Sequence, residues 1–464
     1  MSENTGGHGL QRHLQNRHLQ LIAIGGAIGT GLFMGSGKTI SLAGPSVLFT
    51  YAIIGFFAFM LMRAMGEILL SNLHYKSFID FAYDLLGPFM GFVTGWTYWL
   101  CWVVVAVTDV SAITKYTQFW FPDVPLWMPG AIFGGIVVMF NALSVKWFGE
   151  TEFWFALIKI LAIVGLIATG LTLVAMGFVS PDGTQASLAN LTQHGGWMPH
   201  GWSGFFAAFQ IALFAFAGME VVGTTAAEAK NPHETMPRAI NSIPVRILIF
   251  YVLSLLVIML VTPWDKVSAS ESPFVNMFLL LGIPAAAALI NFVVLTSATS
   301  SVNSGIYSTG RMLYGLSHSK LAPAFFNRLT SRGVPLRGVL YSASYIAIGI
   351  ALLYVKDGDV MATFTLVSTV TSVLFIFVWG VIAVCYLRYR QLHPDRHAAS
   401  TFRMPLGVPM AGALIVFLLF CLYLFSQQPD TLEGMIYTPV WFLMLALIYP
   451  FYRKAALAHL KETH

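Results

Sequence analysis

Few residues in this 464-residue chain could do chemistry, and three features stand out by their surroundings. Glu220 is a bare carboxylate in the apolar run Phe214-Ala215-Phe216-Ala217-Gly218-Met219-Glu220-Val221-Val222-Gly223. Lys159 is an ammonium inside Ala156-Leu157-Ile158-Lys159-Ile160-Leu161. The third feature is the glycine-dense run Gly25-Gly26-Ala27-Ile28-Gly29-Thr30-Gly31-Leu32-Phe33-Met34-Gly35-Ser36-Gly37. Each glycine costs about 1 kcal/mol against alanine in a helix, so a continuous helix is not expected there. A broken helix presents amide N–H groups at a positive dipole end, which suit a carboxylate, and free carbonyls, which suit an ammonium or a cation. A molecule bearing both groups, an amino acid, matches two such breaks. The competing reading is that the glycines only permit close helix crossing, as Gly87, Gly91 and Gly95 do by their small-xxx-small spacing.

Other groups point to structure first. Arg63 and Glu67 are spaced i,i+4 and read as an ion pair. Glu150 and Glu152 suit the start of a helix, with an intracellular gate as the sharper alternative. Asp109 and Lys115 are placed near an outer surface. Ser297, Thr299, Ser300 and Ser301 offer either interhelical hydrogen bonds or part of a sodium site. Cys101, Cys385 and Cys421 lie in apolar runs without ligand spacing, so no disulfide framework or metal site is expected. No nucleophile–base pair is evident, and neither an enzyme nor a cofactor is expected.

The elements that must position these groups are set by composition. Apolar residues make up 57% of the chain and charged residues only 10%, against about 25% charged in soluble domains. Twelve windows of at least 18 residues lack Asp, Glu, Lys and Arg: 18–37, 39–62, 85–108, 124–145, 160–181, 183–219, 247–264, 272–310, 338–355, 360–387, 404–429 and 434–452. About 20 apolar residues cross a bilayer as a helix, so twelve spans are expected. In 183–219 the helix should begin near Trp202, and 272–310 should carry a short surface segment before its helix. With a cytoplasmic N-terminus, Lys38, Lys115, Lys266 and Lys356 fall outside and 20 basic residues fall inside, a strong positive-inside bias. The net charge of +5 is thereby a topology signal, with no nucleic acid implied. A signal peptide is not expected, because the segment 1–17 is polar. Lys159 then lies about eight residues into the fifth span, a depth of roughly 12 Å at the helical rise. It reads either as a snorkelling lysine or as one that releases a proton during a cycle. Glu220 reads either as an acceptor for unwound backbone or as a proton and gating group. Spans one and six occupy matching positions in two sets of five, which points to a midplane site.

Several motifs add a resemblance. Gly25 to Gly37, Arg63-Ala64-Met65-Gly66-Glu67, Gly95-Trp96-Thr97-Tyr98-Trp99 and Phe148-Gly149-Glu150-Thr151-Glu152-Phe153-Trp154-Phe155 resemble the amino acid transporter family of the amino acid–polyamine–organocation superfamily. So do Glu228-Ala229-Lys230-Asn231-Pro232, Pro237-Arg238-Ala239-Ile240-Asn241 and Asn291-Phe292-Val293-Val294-Leu295-Thr296. Met34-Gly35-Ser36-Gly37-Lys38-Thr39-Ile40-Ser41 and Asp84-Leu85-Leu86-Gly87-Pro88 point within it to permeases of D-serine, D-alanine and glycine.

The resemblance implies an all-α membrane protein with two inverted five-helix repeats, broken helices one and six, and two further C-terminal helices. It implies a permease domain over 18–455 between short cytoplasmic tails, 1–17 and 456–464, in the inner membrane. Substrate-binding roles carry over to Ala27, Gly29, Thr30 and Gly31 for the carboxylate. The carbonyls of Phe214, Ala215 and Ala217, with Gly218, would take the amino group, and Phe216 would form a gate or wall. Lys159, donating to carbonyls near Gly26 and Gly29, and Glu220 would couple protons. The expected partners are a neutral amino acid, protons and the bilayer, with no obligate protein partner. Sodium coupling, another amino acid such as L-alanine, proline or GABA, and a membrane amino-acid sensor are the alternatives. The short tails speak against the sensor.

Overall fold

The computed structural model describes residues 28–143, 145–221 and 231–463, with side chains left aside at 143, 145–149, 456 and 459–463. The expectations at Gly26, Ala27 and Glu228 to Lys230, and the tail 1–17, lie outside the described residues. Helices account for nearly all of the regular structure. Val179 and Gln185 form an isolated bridge, and no strand is present among the described residues.

In chain order the helices are α1 (Thr30–Phe33), α2 (Gly35–Ala43), α3 (Val47–Ser71), α4 (Phe78–Leu86), α5 (Pro88–Gln118), α6 (Trp127–Leu143) and α7 (Val145–Ala175). Then come α8 (Gly201–Ala207), α9 (Phe209–Phe214), α10 (Pro232–Asn241), α11 (Ile243–Arg246), a π-helical turn over Ile247–Leu253, and α12 (Ser254–Val261). The remainder are α13 (Pro273–Leu280), α14 (Pro284–His318), α15 (Leu336–Ser344), α16 (Ile346–Val355), α17 (Val360–Leu392), α18 (Pro394–Ala399), α19 (Val408–Ser426) and α20 (Pro429–Thr463). Among the described residues nine helical stretches are long and apolar enough to cross a membrane, and two shorter apolar helices accompany them. The sequence placed the start of α8 and the short α13 ahead of α14 correctly.

Local chemistry explains the boundaries that matter. Ser77 caps α4 with its hydroxyl on the Ile79 N–H, and Asp80 reaches back in a capping box. Gly87, at φ +90°, ends α4, and Pro88 opens α5 where a missing N–H costs nothing. Gly44-Pro45 makes the corresponding turn between α2 and α3. Central α5 packs along α14 and α17, while α9 packs against α17, α2 and α3. Phe56, Leu161, Val164, Leu171, Val416, Leu419, Val440, Leu443, Leu447 and Phe451 remain exposed around the outside, where lipid tails suit them better than water.

Candidate functional site

Helix α1 begins and α9 ends at the two glycine-marked runs, and the two runs touch. Gly29 is extended (φ −128°, ψ −166°), and α1 starts at Thr30. The N–H groups of Leu32 and Phe33 both bond to the Gly29 carbonyl at 3.2 Å. Helix geometry leaves the Thr30 and Gly31 N–H groups at the open end without intrahelical acceptors. On the other side α9 stops at Phe214, and the chain continues in tight turns. Phe216 N–H bonds to Leu213 O, Ala217 N–H to Phe214 O, Met219 N–H to Phe216 O and Val221 N–H to Gly218 O. Gly218 makes this possible at φ +93°, a conformation other residues adopt only with strain. A Cβ on Gly31 would stand 2.6 Å from the Ala215 Cα, so only glycine lets the breaks meet there.

Within 28–37 and 214–220, Gly29 and Ala217 are the residues not fully buried. No described atom lies within 4 Å of where a Gly29 Cβ would stand. Gly29 is thus the open point of the first run, and Ala217 that of the second. Two of the carbonyls that the resemblance implied already accept one hydrogen bond and keep a second lone pair. Phe214 O accepts from Ala217 N–H, and Ala215 O accepts from the Tyr251 hydroxyl at 2.8 Å. Ala217 O has no hydrogen-bond donor among the described residues. Tyr251 comes from the π-helical turn and stacks on Phe216 at 4.8 Å, with Tyr51 alongside. Phe216 is fully buried in this stack. Phe214 packs edge-on against Phe364.

Behind the first break runs a buried polar chain. Ser297 donates to Ile28 O at 3.3 Å. Lys159 donates to Ser300 Oγ at 3.1 Å, and Ser300 donates to Glu152 Oε2 at 2.8 Å. Asn303 donates to Glu152 Oε1 at 2.7 Å, and Asn141 donates to Asn303 at 2.8 Å. Thr30 donates to Asp109 Oδ1 at 2.5 Å. Lys159 is 2% exposed, and Glu152 and Asp109 are the acids whose charges reach it.

Three expectations are corrected here. Lys159 does not snorkel: α7 begins at Val145, well before it, and its ammonium is buried on α14 hydroxyls instead of reaching an interface. Glu152 is no helix-start acid, because α7 begins two turns earlier and its carboxylate is buried against α14. Asp109 is not near an outer surface, being fully buried beside the first break. Sequence reasoning missed its role because only the fold brings α5 against α1. The signal available was a charge in mid-pattern, since α5 continues past it to Gln118.

Glu220 is also fully buried, accepting from the Tyr98 hydroxyl at 3.2 Å and from Trp379 Nε1 at 3.4 Å. It thus ties the second break to α5 and α17. The Arg63–Glu67 ion pair is absent. Glu67 accepts from Tyr386 OH at 3.0 Å and Met404 N–H at 2.7 Å, and lies 2.5 Å from His397 Nδ1. Arg63 donates to Asn241 and to the Arg403 carbonyl, over the Phe402 ring. Each residue finds partners on another element, which i,i+4 spacing cannot reveal.

A helical bundle with an apolar exterior and two touching backbone breaks at its centre is the build of a membrane transporter. The sequence pattern of the amino acid permease family matches residues 18–462, and the chain belongs to that family. It is 56% identical over 453 residues to the D-serine/D-alanine/glycine transporter of Escherichia coli strain K12, which covers 98% of this chain and 96% of that protein. It is 50% identical over 441 residues to the amino-acid permease AapA of Bacillus subtilis, covering 95% and 94%. Against the aromatic amino acid transport protein AroP of Escherichia coli O6:H1 it is 40% identical over 452 residues, covering 97% and 98%.

Proposed function

We propose that this permease imports small neutral amino acids, D-serine, D-alanine and glycine among them, by proton symport across the inner membrane. Twelve spans in two inverted five-helix repeats plus two C-terminal helices would carry it, as a permease domain over 18–455 with cytoplasmic tails. The observation that carries the coupling is Lys159, donating to Ser300 one helical turn from the Ser297 hydroxyl that holds Ile28 O. An ammonium there occupies the hydroxyls a sodium ion would need. The substrate class is supported by the 56% identical relative.

In operation, the amides of Thr30 and Gly31 take the substrate carboxylate, and the Ala217 carbonyl takes its ammonium, with Gly218 next to it in the chain. Tyr251 and Phe216 wall the second break, and Glu220 holds it to α5 and α17. The topology draws support from where charges pair. Lys38 meets Asp430 at 2.6 Å and Lys356 meets Glu433 at 2.8 Å, so both reach the start of α20 on one end. Arg63, His397 and Arg403 gather at the opposite end of α3. The test is uptake of radiolabelled D-alanine and glycine into proteoliposomes with an imposed pH gradient and no sodium. Accumulation that an uncoupler collapses is expected. Uptake that needs sodium would overturn the coupling, and no uptake under either gradient would overturn the substrate.

A further inference from the structure

The polar chain behind the first break has an imbalance that the reading above leaves unused. It contains two acids, Asp109 and Glu152, and one base, Lys159, all buried. Glu152 is satisfied as a carboxylate by donors from Ser300 and Asn303. Asp109 differs, because Thr30 donates to Oδ1 while Oδ2 accepts no well-formed hydrogen bond, the Ser301 hydroxyl standing near the carboxyl outside bonding geometry. A buried carboxylate with a bare oxygen is costly even beside one ammonium shared with Glu152, and one proton removes that cost.

Position makes the proton relevant to transport. Thr30 donates its hydroxyl to Asp109, and the same residue contributes an amide at the open end of α1. A substrate carboxylate on that amide therefore sits one residue from a second carboxylate in a dry site. Like charges so placed do not both ionise readily. The groups facing Asp109 are few: Lys159 from α7 with Glu152 behind it, the Ser301 hydroxyl from α14, and Tyr116 on α5 itself. The buried stretches of α17 and α16 carry no charge toward it.

We propose that Asp109 is a proton-binding site of the transport cycle, loaded when the substrate carboxylate arrives at Thr30 and Gly31. One O–H bond forms at Oδ2 with a proton from water, and it breaks when the substrate leaves. Substrate and proton then bind together because each lowers the electrostatic cost of the other, with Lys159 as the countercharge that links the two. This deepens the symport reading and rests on it.

The test uses the purified full chain. Infrared difference spectra between acid and alkaline pH, with no substrate present, should contain a protonated-carboxyl C=O band that Asp109→Asn removes. Glycine added to the wild type at intermediate pH should increase that band. Glycine affinity of the wild type should fall tenfold per pH unit on the alkaline side, the slope for one bound proton, and should be flat in Asp109→Asn. A purely structural aspartate would move neither the band nor the slope. An Asp109→Asn spectrum with all wild-type carboxyl bands, or an unchanged slope, overturns the proposal. Should Asp109→Asn fail to fold, Thr30→Val must shift the band frequency by removing the hydroxyl on Oδ1, and an unshifted band overturns it equally. Failure of glycine, D-alanine and D-serine to bind would refute the substrate reading, while the substrate-free spectra still decide the role of Asp109.

Discussion

Gly29 and Gly31 are near neighbours in the chain and answer substitution in different ways. At Gly31 an added methyl strikes the Ala215 backbone at 2.6 Å, so Gly31→Ala should cost about 1–3 kcal/mol of stability by overpacking. A valine there would test packing before it tested carboxylate binding. At Gly29 the backbone is extended and the adjoining space is open, so alanine fits without strain. Gly29→Ala should keep the wild-type melting temperature and weaken substrate binding by about 1–3 kcal/mol, the worth of one methyl in a pocket. Equilibrium binding and thermal unfolding on the same preparation check both halves. The sequence marked both glycines alike, because the contact that separates them comes from Ala215, far along the chain. A surface pair shows the converse case. Lys266, with Ser180 and Thr184, holds the Asp182 carboxyl well below the usual carboxylate range. A depressed acid stabilises above its unfolded value, about 3.9, and that contribution is lost only as pH falls through the lower folded value. The pair is therefore constant between about pH 5 and 8, and Asp182→Asn should leave the pH profile of uptake unchanged there.

Elements were legible where apolar runs and helices coincide, and charge-free windows fall short of the helix where a buried charge interrupts it. The charge-free window 85–108 ends at Asp109, yet α5 runs from Pro88 to Gln118. The window 160–181 starts after Lys159, yet α7 begins at Val145. In both cases the charged residue at the window's edge lies inside the helix, as a buried partner in the polar chain bonded to α1 or α14. The breaks themselves were visible because glycine has a local reason to be there. Gly218, at φ +93°, is the clearest, and Gly218→Ala should cost about 1–3 kcal/mol and reduce transport with it. At the other end of the bundle, the segment after α17 straps onto α3 through Glu67. Glu67→Ala leaves the Tyr386 hydroxyl, His397 and the Met404 N–H without their acceptor. A loss of about 1–3 kcal/mol is expected for each buried donor so stranded, read as a lower melting temperature in detergent. Glu67→Gln, which keeps an acceptor oxygen, should recover part of it.

At the scale of the whole molecule, composition alone implied a membrane protein, and the helical bundle with its exposed apolar belt agrees. Family membership was legible in short motifs spread along the chain, and it extends over residues 18–462. The convergence at the centre was not legible in full. Helices α1, α5, α7 and α14 bring together Thr30, Asp109, Glu152, Lys159 and Ser300 from widely separated parts of the chain, and no local pattern encodes that meeting. The account stands on Lys159 as the group that links proton to substrate through this cluster. The most direct measurement compares Lys159→Ala with wild type in proteoliposomes, scoring pH-driven accumulation and substrate exchange in parallel. Accumulation should vanish in the variant while exchange of preloaded glycine or D-alanine continues. Undiminished pH-driven accumulation in Lys159→Ala would contradict the account.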